Sequence, residues 1–365
     1  MRFIDEYRDV ALAKGILPQI EKYANQIGHK IQFMEVCGTH TVAIFKYGIR
    51  DLLPKNIRLL SGPGCPVCVT APEDVDAAIE LAKLENIILV SFGDMLRVPG
   101  SVSSLQEQKT DGKEVRIVYS CLDALQIAEQ NPDKKIVFFA VGFETTSPTI
   151  AATIQVAEQK KIDNFYIYSA HKLIPPAMKV LLESGEVKIN GFICPGHVSA
   201  IIGTQPYQFI IEQYGVPCVI TGFEPLDILQ SILMLLEQIA IKKAEVAIQY
   251  RRVVKPEGNP KAIKTLYQVF EPADSPWRGL GVIPDSGLQL TIPYQRYNIT
   301  EVLPEIRPSS LIHRPTKCRC GEVLRGVIIP PDCALFRKKC TPENPIGPCM
   351  VSTEGTCAAY FKYQQ

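Results

Sequence analysis

The chain has almost no net charge, no long uninterrupted apolar run and no glycine signature for phosphate. Its 39 Lys and Arg balance 38 Asp and Glu, for a formal charge of +1. That leaves no electrostatic footprint for DNA, RNA or an anionic membrane surface. The most hydrophobic stretch, Leu226 to Ile241, is broken by Asp227, Gln230, Ser231, Glu237 and Gln238, so it falls short of the roughly 20 apolar residues a membrane span needs. The opening MRFIDEYRDVALAK mixes acids and bases without an apolar h-region, so no secretory signal is expected and a cytoplasmic location follows. Neither a P-loop nor a GxGxxG turn is present. In a reducing compartment the twelve cysteines read as ligands or redox groups rather than as a disulfide framework.

At 365 residues, 46% hydrophobic and 21% charged, the chain has the composition of a soluble globular protein with two or three domains. Apolar runs at Ile31–Val36, Ile87–Phe92, Lys135–Val141, Asn164–Ser169, Gly191–Cys194 and Pro217–Thr221 alternate with helical spacing at Asp74–Lys83, Pro148–Gln159 and Leu226–Ile241. Continuous rather than alternating strands imply burial on both faces, hence an α/β fold with parallel sheets covered by helices. Most of the strands end in a polar or glycine-rich turn: CGTH, SFGDM, VGFETTSP, SAHK, CPGHVS, TGFEP. In open α/β sheets that end of the strand is the ligand-binding rim. The recurrence suggests two similar α/β units, over 1–130 and 131–242. Beyond 243 prolines multiply and periodicity weakens, giving a third segment, 243–365, of loops and short strands with a cysteine-rich tail. A bound metal centre would supply the organisation such a tail lacks.

Cys65-Pro66-Val67-Cys68 is a CxxC element, able to close a disulfide, exchange it or bind a soft metal. Thr70 and Glu73 fit a capping box for the next helix, which would place the pair near a helix N-terminus that favours a thiolate. The plainer reading is a rigid Gly-Pro-Gly turn with incidental cysteines. Cys37 and His40 in CGTH combine a thiol and an imidazole, a nucleophile with a base or two metal ligands; a packed Cys beside a surface His explains the motif equally well. In Gly142–Pro148, Ser147 and Pro148 suit a helix start, while Glu144, Thr145 and Thr146 exceed what a cap requires. His197, in CPGHVS, is either a proton donor or a satisfied loop histidine. His171 and Asp94 are weaker candidates. In the tail, Cys320, Cys333, Cys340 and Cys357 supply enough thiolates for a [4Fe–4S] cluster or a Cys₄ zinc site. Six tail cysteines are present, Cys318 and Cys349 being the others, and spacing alone does not choose among them.

Taken together, CGTH, GPGCPVC, FGDMLRVPGS, VGFETTSPT, PGHVS and the tail CRCGEVLRG…PPDCALF…CTPENPIGPCMVSTEGTCAAY closely resemble the HypD family of [NiFe]-hydrogenase maturation proteins, over essentially the whole chain. The resemblance implies two related α/β domains and a C-terminal domain with a [4Fe–4S] cluster. It also implies a scaffold that, with HypC, holds iron while one carbon monoxide and two cyanides are added. HypE would supply the cyanide, and the Fe(CN)₂CO unit would pass to the hydrogenase large subunit. By motif, Cys37 would contact the iron, Cys65 and Cys68 would be the redox pair, and His40, Glu144, Thr145, Thr146 and His197 would line the cleft. Cys320, Cys333, Cys340 and Cys357 would hold the cluster. Two rivals remain: a thiol–disulfide oxidoreductase acting on protein partners, for which CPVC suffices, and a zinc-stabilised interaction protein.

Overall fold

Apolar runs such as Ile87–Ser91 become strands buried at every position, the signature of a parallel sheet shielded on both faces. The computed structural model describes residues 5–306 and 317–364. Its strands are β1 (Ile31–Glu35), β2 (Ile57–Ser61), β3 (Ile87–Ser91), β4 (Val115–Ile117), β5 (Lys135–Ala140), β6 (Phe165–Ser169), β7 (Gly191–Pro195), β8 (Cys218–Thr221), β9 (Val246–Ile248), β10 (Phe270–Trp277) and β11 (Gly281–Leu290). They form a parallel sheet in the order β2-β1-β7-β8-β9, a second parallel sheet in the order β4-β3-β5-β6, and an antiparallel hairpin β10-β11. The α/β architecture matches the sequence reading. Among the described residues no helix is long and apolar enough to cross a membrane.

The sheets do not divide the chain at residue 130. After β2 the chain leaves the first sheet through Cys65–Lys83, builds β3 to β6 in the second, then returns through Ala170–Ser184 to add β7 to β9 beside β1. The sheet changes fall between β2 and β3 and between β6 and β7, and the pairing β1–β7 (Phe33↔Gly191, Met34↔Phe192, Glu35↔Ile193) is long-range and leaves no local trace.

The two crossings are tied together. Lys172, on the return, donates to Asp74 Oδ2, on the way out, at 3.2 Å and to Ser275 Oγ at 2.8 Å. The Tyr168 hydroxyl donates to Asp74 Oδ1 at 3.1 Å. Both charged side chains are almost wholly buried, at 1% and 6% exposure. Each would be costly alone and is tolerable only with its partner.

Among the described residues, those after 243 pack into the cores of the two parallel sheets. Leu266, Val269, Phe270, Leu288 and Leu290 pack into the core of the second sheet, with Ile136 and Phe138. Trp277, Ile283, Cys320, Leu324 and Cys349 pack with Met34, Leu60 and Phe192 of the first. EPADSPWRGLGVIPDSGLQL, which read as loops, is most of a long hairpin whose register shifts between Ala273 and Ser275. Its prolines and glycines sit where an irregular two-stranded ribbon accepts them.

Two helix starts also differ from expectation. The helix after CPVC runs Pro72–Lys83 with Ala71 as N-cap, and the Thr70 hydroxyl turns back to Pro66 O at 2.8 Å instead of capping it. Thr146, not Ser147, occupies the N-cap of Ser147–Lys160, and Ser147 Oγ donates to Phe143 O.

Asp74→Asn should lower stability by about 3–5 kcal/mol, since it strands the Lys172 ammonium in the interior. The double variant Asp74→Asn with Lys172→Met should recover most of that loss. Urea unfolding midpoints measure both, and an additive double variant would show that the pair is not coupled.

Candidate functional site

Cys37 follows β1 and is the N-cap of the helix Gly38–Lys46. Facing it is the loop after β2, Gly62-Pro63-Gly64-Cys65. A Cβ on Gly64 would lie 2.0 Å from the Cys37 nitrogen, so only glycine lets the two backbones touch. Gly38 N–H donates to Gly64 O at 3.0 Å. This contact seats the CGTH turn against the CPVC turn, a proximity that parallel β1 and β2 make possible.

Beneath Cys37 lies a carboxyl that the sequence reading passed over. Glu35 Oε2 accepts the Cys37 amide at 3.1 Å, and Oε1 accepts the Thr41 hydroxyl at 2.5 Å. Burial raises Glu35 to about 7, with the Thr41 and Cys37 donors pulling the other way. The Cys37 thiol is itself pushed up to about 12, by burial first and by Glu354 second, against the amides of His40 and Thr39. It is therefore protonated at rest, and a metal binding there must displace the proton.

Cys65 and Cys68 stand side by side. Cys65 caps the short helix Pro66–Val69, its Sγ accepting the Cys68 amide at 3.3 Å, and the two sulfurs are 2.6 Å apart. Both are buried, and burial raises Cys68 well above the ordinary thiol range. From Cys68 the sulfurs continue into the tail. Cys65, Cys68, Cys320 and Cys349 are buried in one packed core, with Cys318 and Cys357 against it. The two cysteine clusters of the sequence are thus one contiguous string of side chains.

His40 is fully buried, with Nε2 at 3.2 Å from Thr221 O and 2.9 Å from Gly222 O. Carbonyls only accept, so Nε2 carries the proton and Nδ1 is a bare acceptor, unpartnered among the described residues. Burial lowers its pKa to about 4. Phe223 stacks on His40 at 4.7 Å and on His197 at 4.0 Å, so His197 joins the Cys37 turn through an aromatic ring. Burial also lowers His197, while Glu354 opposes. Glu354, from the tail, accepts the Thr39 hydroxyl at 2.7 Å and covers Gly38, where a Cβ would meet its own Cβ at 2.6 Å. Phe223 and Glu354 were missed by the sequence reading. Their only signals were the second GFE and an acid three residues before Cys357.

Glu144 has other partners. Its Oε1 accepts the Ile174 amide at 2.9 Å, at the start of the helix Ile174–Ser184, and Oε2 is buried without a partner among the described residues. Burial raises it to about 7. The Thr145 and Thr146 hydroxyls lie 3.5 Å apart. Among the described residues these three make no hydrogen bond to the Cys37 turn. The motif instead backs the CPVC turn through Phe143, which stacks on Trp277 at 6.2 Å and shares a core with Cys65 and Cys68. His171 bonds Ser169 Oγ at 3.0 Å through Nδ1 beside the chain crossing.

The tail cysteines suit a sulfur-ligated cluster. A Cβ on Gly347 would lie 2.3 Å from Cys318 Sγ, so only glycine lets the backbone pack this closely on that sulfur. Cys340 Sγ accepts the Ile346 amide at 3.3 Å, the kind of donor that steadies a thiolate. Cys340 also lies within electrostatic range of Cys318 and Cys357, and Cys333 of Arg319. Among the described residues no three His, Cys, Asp or Glu side chains converge tightly enough for a single ion. Thiolates around a cluster stand further apart than ligands around one metal.

Glu35 yields a signed pH dependence. Between its ordinary value of 4.5 and about 7 the folded chain holds a proton that the unfolded chain has released, so stability falls as pH rises through that window. Glu35→Gln should remove this slope, worth on the order of 3 kcal/mol. Urea midpoints at several pH values between 4.5 and 8 test it, and parallel curves for the two proteins would refute it.

A family model described as the hydrogenase formation hypA family, HypD, matches residues 11–364. The chain is 48% identical to hydrogenase maturation factor HypD2 of Bradyrhizobium diazoefficiens, over all of this chain and 97% of that protein. It is 46% identical to a putative hydrogenase expression/formation protein of Methanocaldococcus jannaschii, over 98% of both. To hydrogenase maturation factor HypD of Escherichia coli it is 44% identical, over all of this chain and 99% of the other. With its cysteine turns, glycine contact and tail in one continuous match, the chain belongs to the HypD family of hydrogenase maturation factors.

Proposed function

We propose that this maturation factor is the scaffold on which the iron of a [NiFe] active site receives its cyanide and carbonyl ligands. It would work in complex with HypC, with HypE as cyanide donor and the hydrogenase large subunit as eventual recipient. The observation that carries this reading is the Gly64–Cys37 backbone contact, which holds a buried thiol beside a buried dithiol. Ferrous iron bound for strong-field diatomic ligands favours soft sulfur donors. Cys37 supplies one and gives up its proton on binding. Cys65 and Cys68 supply more as a dithiol and none as a disulfide, so their redox state would set the sulfur available to the cargo. The neutral Nδ1 of His40 is a further acceptor held in a fixed orientation.

The tail cysteines would hold a [4Fe–4S] cluster, which supplies single electrons when bound. The resemblance implies Cys320, Cys333, Cys340 and Cys357 as the four, with Cys318 the alternative to Cys320. Both sulfurs lie against Gly347, where a Cβ would fall 2.3 Å from Cys318 Sγ and 3.7 Å from Cys320 Sγ. A general thiol–disulfide oxidoreductase is disfavoured, because Cys65 and Cys68 are too buried for a protein substrate to reach.

Infrared spectra of the chain purified with its small partner should carry cyanide and carbonyl stretches, and Cys37→Ala should abolish them while the complex still forms. A wild-type complex without these bands would overturn the scaffold reading. Iron and acid-labile sulfide should fall sharply in Cys320→Ser and persist in Cys318→Ser. The reverse pattern would put Cys318 in the ligand set in place of Cys320.

A further inference from the structure

Arg278 lies in the turn between β10 and β11, far from any motif, yet its side chain is buried at 7% exposure. Its backbone N–H donates to Val69 O at 2.9 Å and its Nε to Thr70 O at 2.9 Å, gripping the residues that follow Cys68. Thr70 and Trp277 add an antiparallel bridge. The next residue, Gly279, lies against Gly321, where a Cβ on Gly279 would come within 2.2 Å of the Gly321 Cα. The arginine therefore stands where the CPVC segment meets the start of the helix Cys320–Leu324.

A guanidinium is permanently cationic, and burying one without a counter-charge costs several kcal/mol. No carboxylate pairs with Arg278 among the described residues, and its Nη2 is buried without a hydrogen-bond partner. Its chain neighbours Trp277 and Leu280 pack in one core with Cys318 and Cys320, which brings those two sulfurs near the guanidinium. We propose that Arg278 is the built-in counter-charge of the tail sulfur centre, and that it sets the reduction potential of that centre. The inference rests on the iron–sulfur reading above and assigns a role to a residue outside the cysteine motifs.

The physical argument is one of charge. A one-electron reduction adds one negative charge to a cluster already anionic through its thiolates. A fixed cation nearby stabilises the reduced form more than the oxidised form and raises the potential, as do hydrogen bonds to the sulfurs. Because the same residue holds Val69 and Thr70, it also keeps the CPVC turn docked against the tail.

The test is an EPR-monitored redox titration of the full-length chain, purified anaerobically. Arg278→Gln keeps hydrogen-bonding capacity without charge, Arg278→Lys keeps charge, and Arg278→Met removes both. The midpoint should move to more negative values in the Gln and Met variants and stay near wild type in the Lys variant. If the Met variant loses its iron, the Gln and Lys variants still decide. Equal midpoints in all proteins, or a Lys variant as low as the Gln variant, would overturn the counter-charge role while leaving the cluster reading intact. A wild-type chain without iron and acid-labile sulfide would overturn both.

Discussion

The site depends on the chain crossing twice between its two sheets. The outward crossing carries Cys65 and Cys68, and the return carries His171 and Lys172. The buried Lys172–Asp74 pair locks one to the other. In a low-dielectric interior such a pair contributes little net stability, but its geometry is strongly enforced, because separating the charges is costly. The CPVC turn is therefore held from behind by an ion pair and from the front by the glycine contact to Cys37.

The second theme is protonation under burial. Cys37 and Cys68 are pushed up, Glu35 and Glu144 are raised to about 7, and His40 is lowered to about 4. In each case burial is the leading cause, and it favours the neutral form. Burial thus favours the neutral thiol at Cys37. A metal bound there, as proposed, would replace the thiol proton with a metal bond, which would make loading and proton release one event.

Charge that does remain is placed asymmetrically. Arg278 is buried near the tail sulfurs, whereas Glu354 lies beside the CGTH turn. One end of the sulfur string is adjacent to a cation and the other to a carboxylate. That polarity suits a path on which negative charge is stored at the tail and a cationic metal is held at Cys37.

Much of this was legible without coordinates. Strand positions such as Ile87–Ser91 followed from short apolar runs, and the rim turns followed from the Gly, Pro, His and Cys residues that close them. The α/β class and the candidacy of Cys65 and Cys68 rest on local composition and spacing, which a one-dimensional string preserves, while the role expected of Cys37 rests on the family resemblance. The joining of β7 to β1, the partners of Glu144, and the meeting of Cys349 with Cys68 were not legible. Nor was the absorption of the last third into both cores. Each depends on residues tens to hundreds of positions apart, brought together by burial and strand pairing that leave no periodic mark. Thus the amino-acid sequence by itself determined which cysteines are candidates for chemistry, because their spacing and flanking turns are local. Only the tertiary structure decided that they form one string, because the double crossing between the sheets is what brings them into contact.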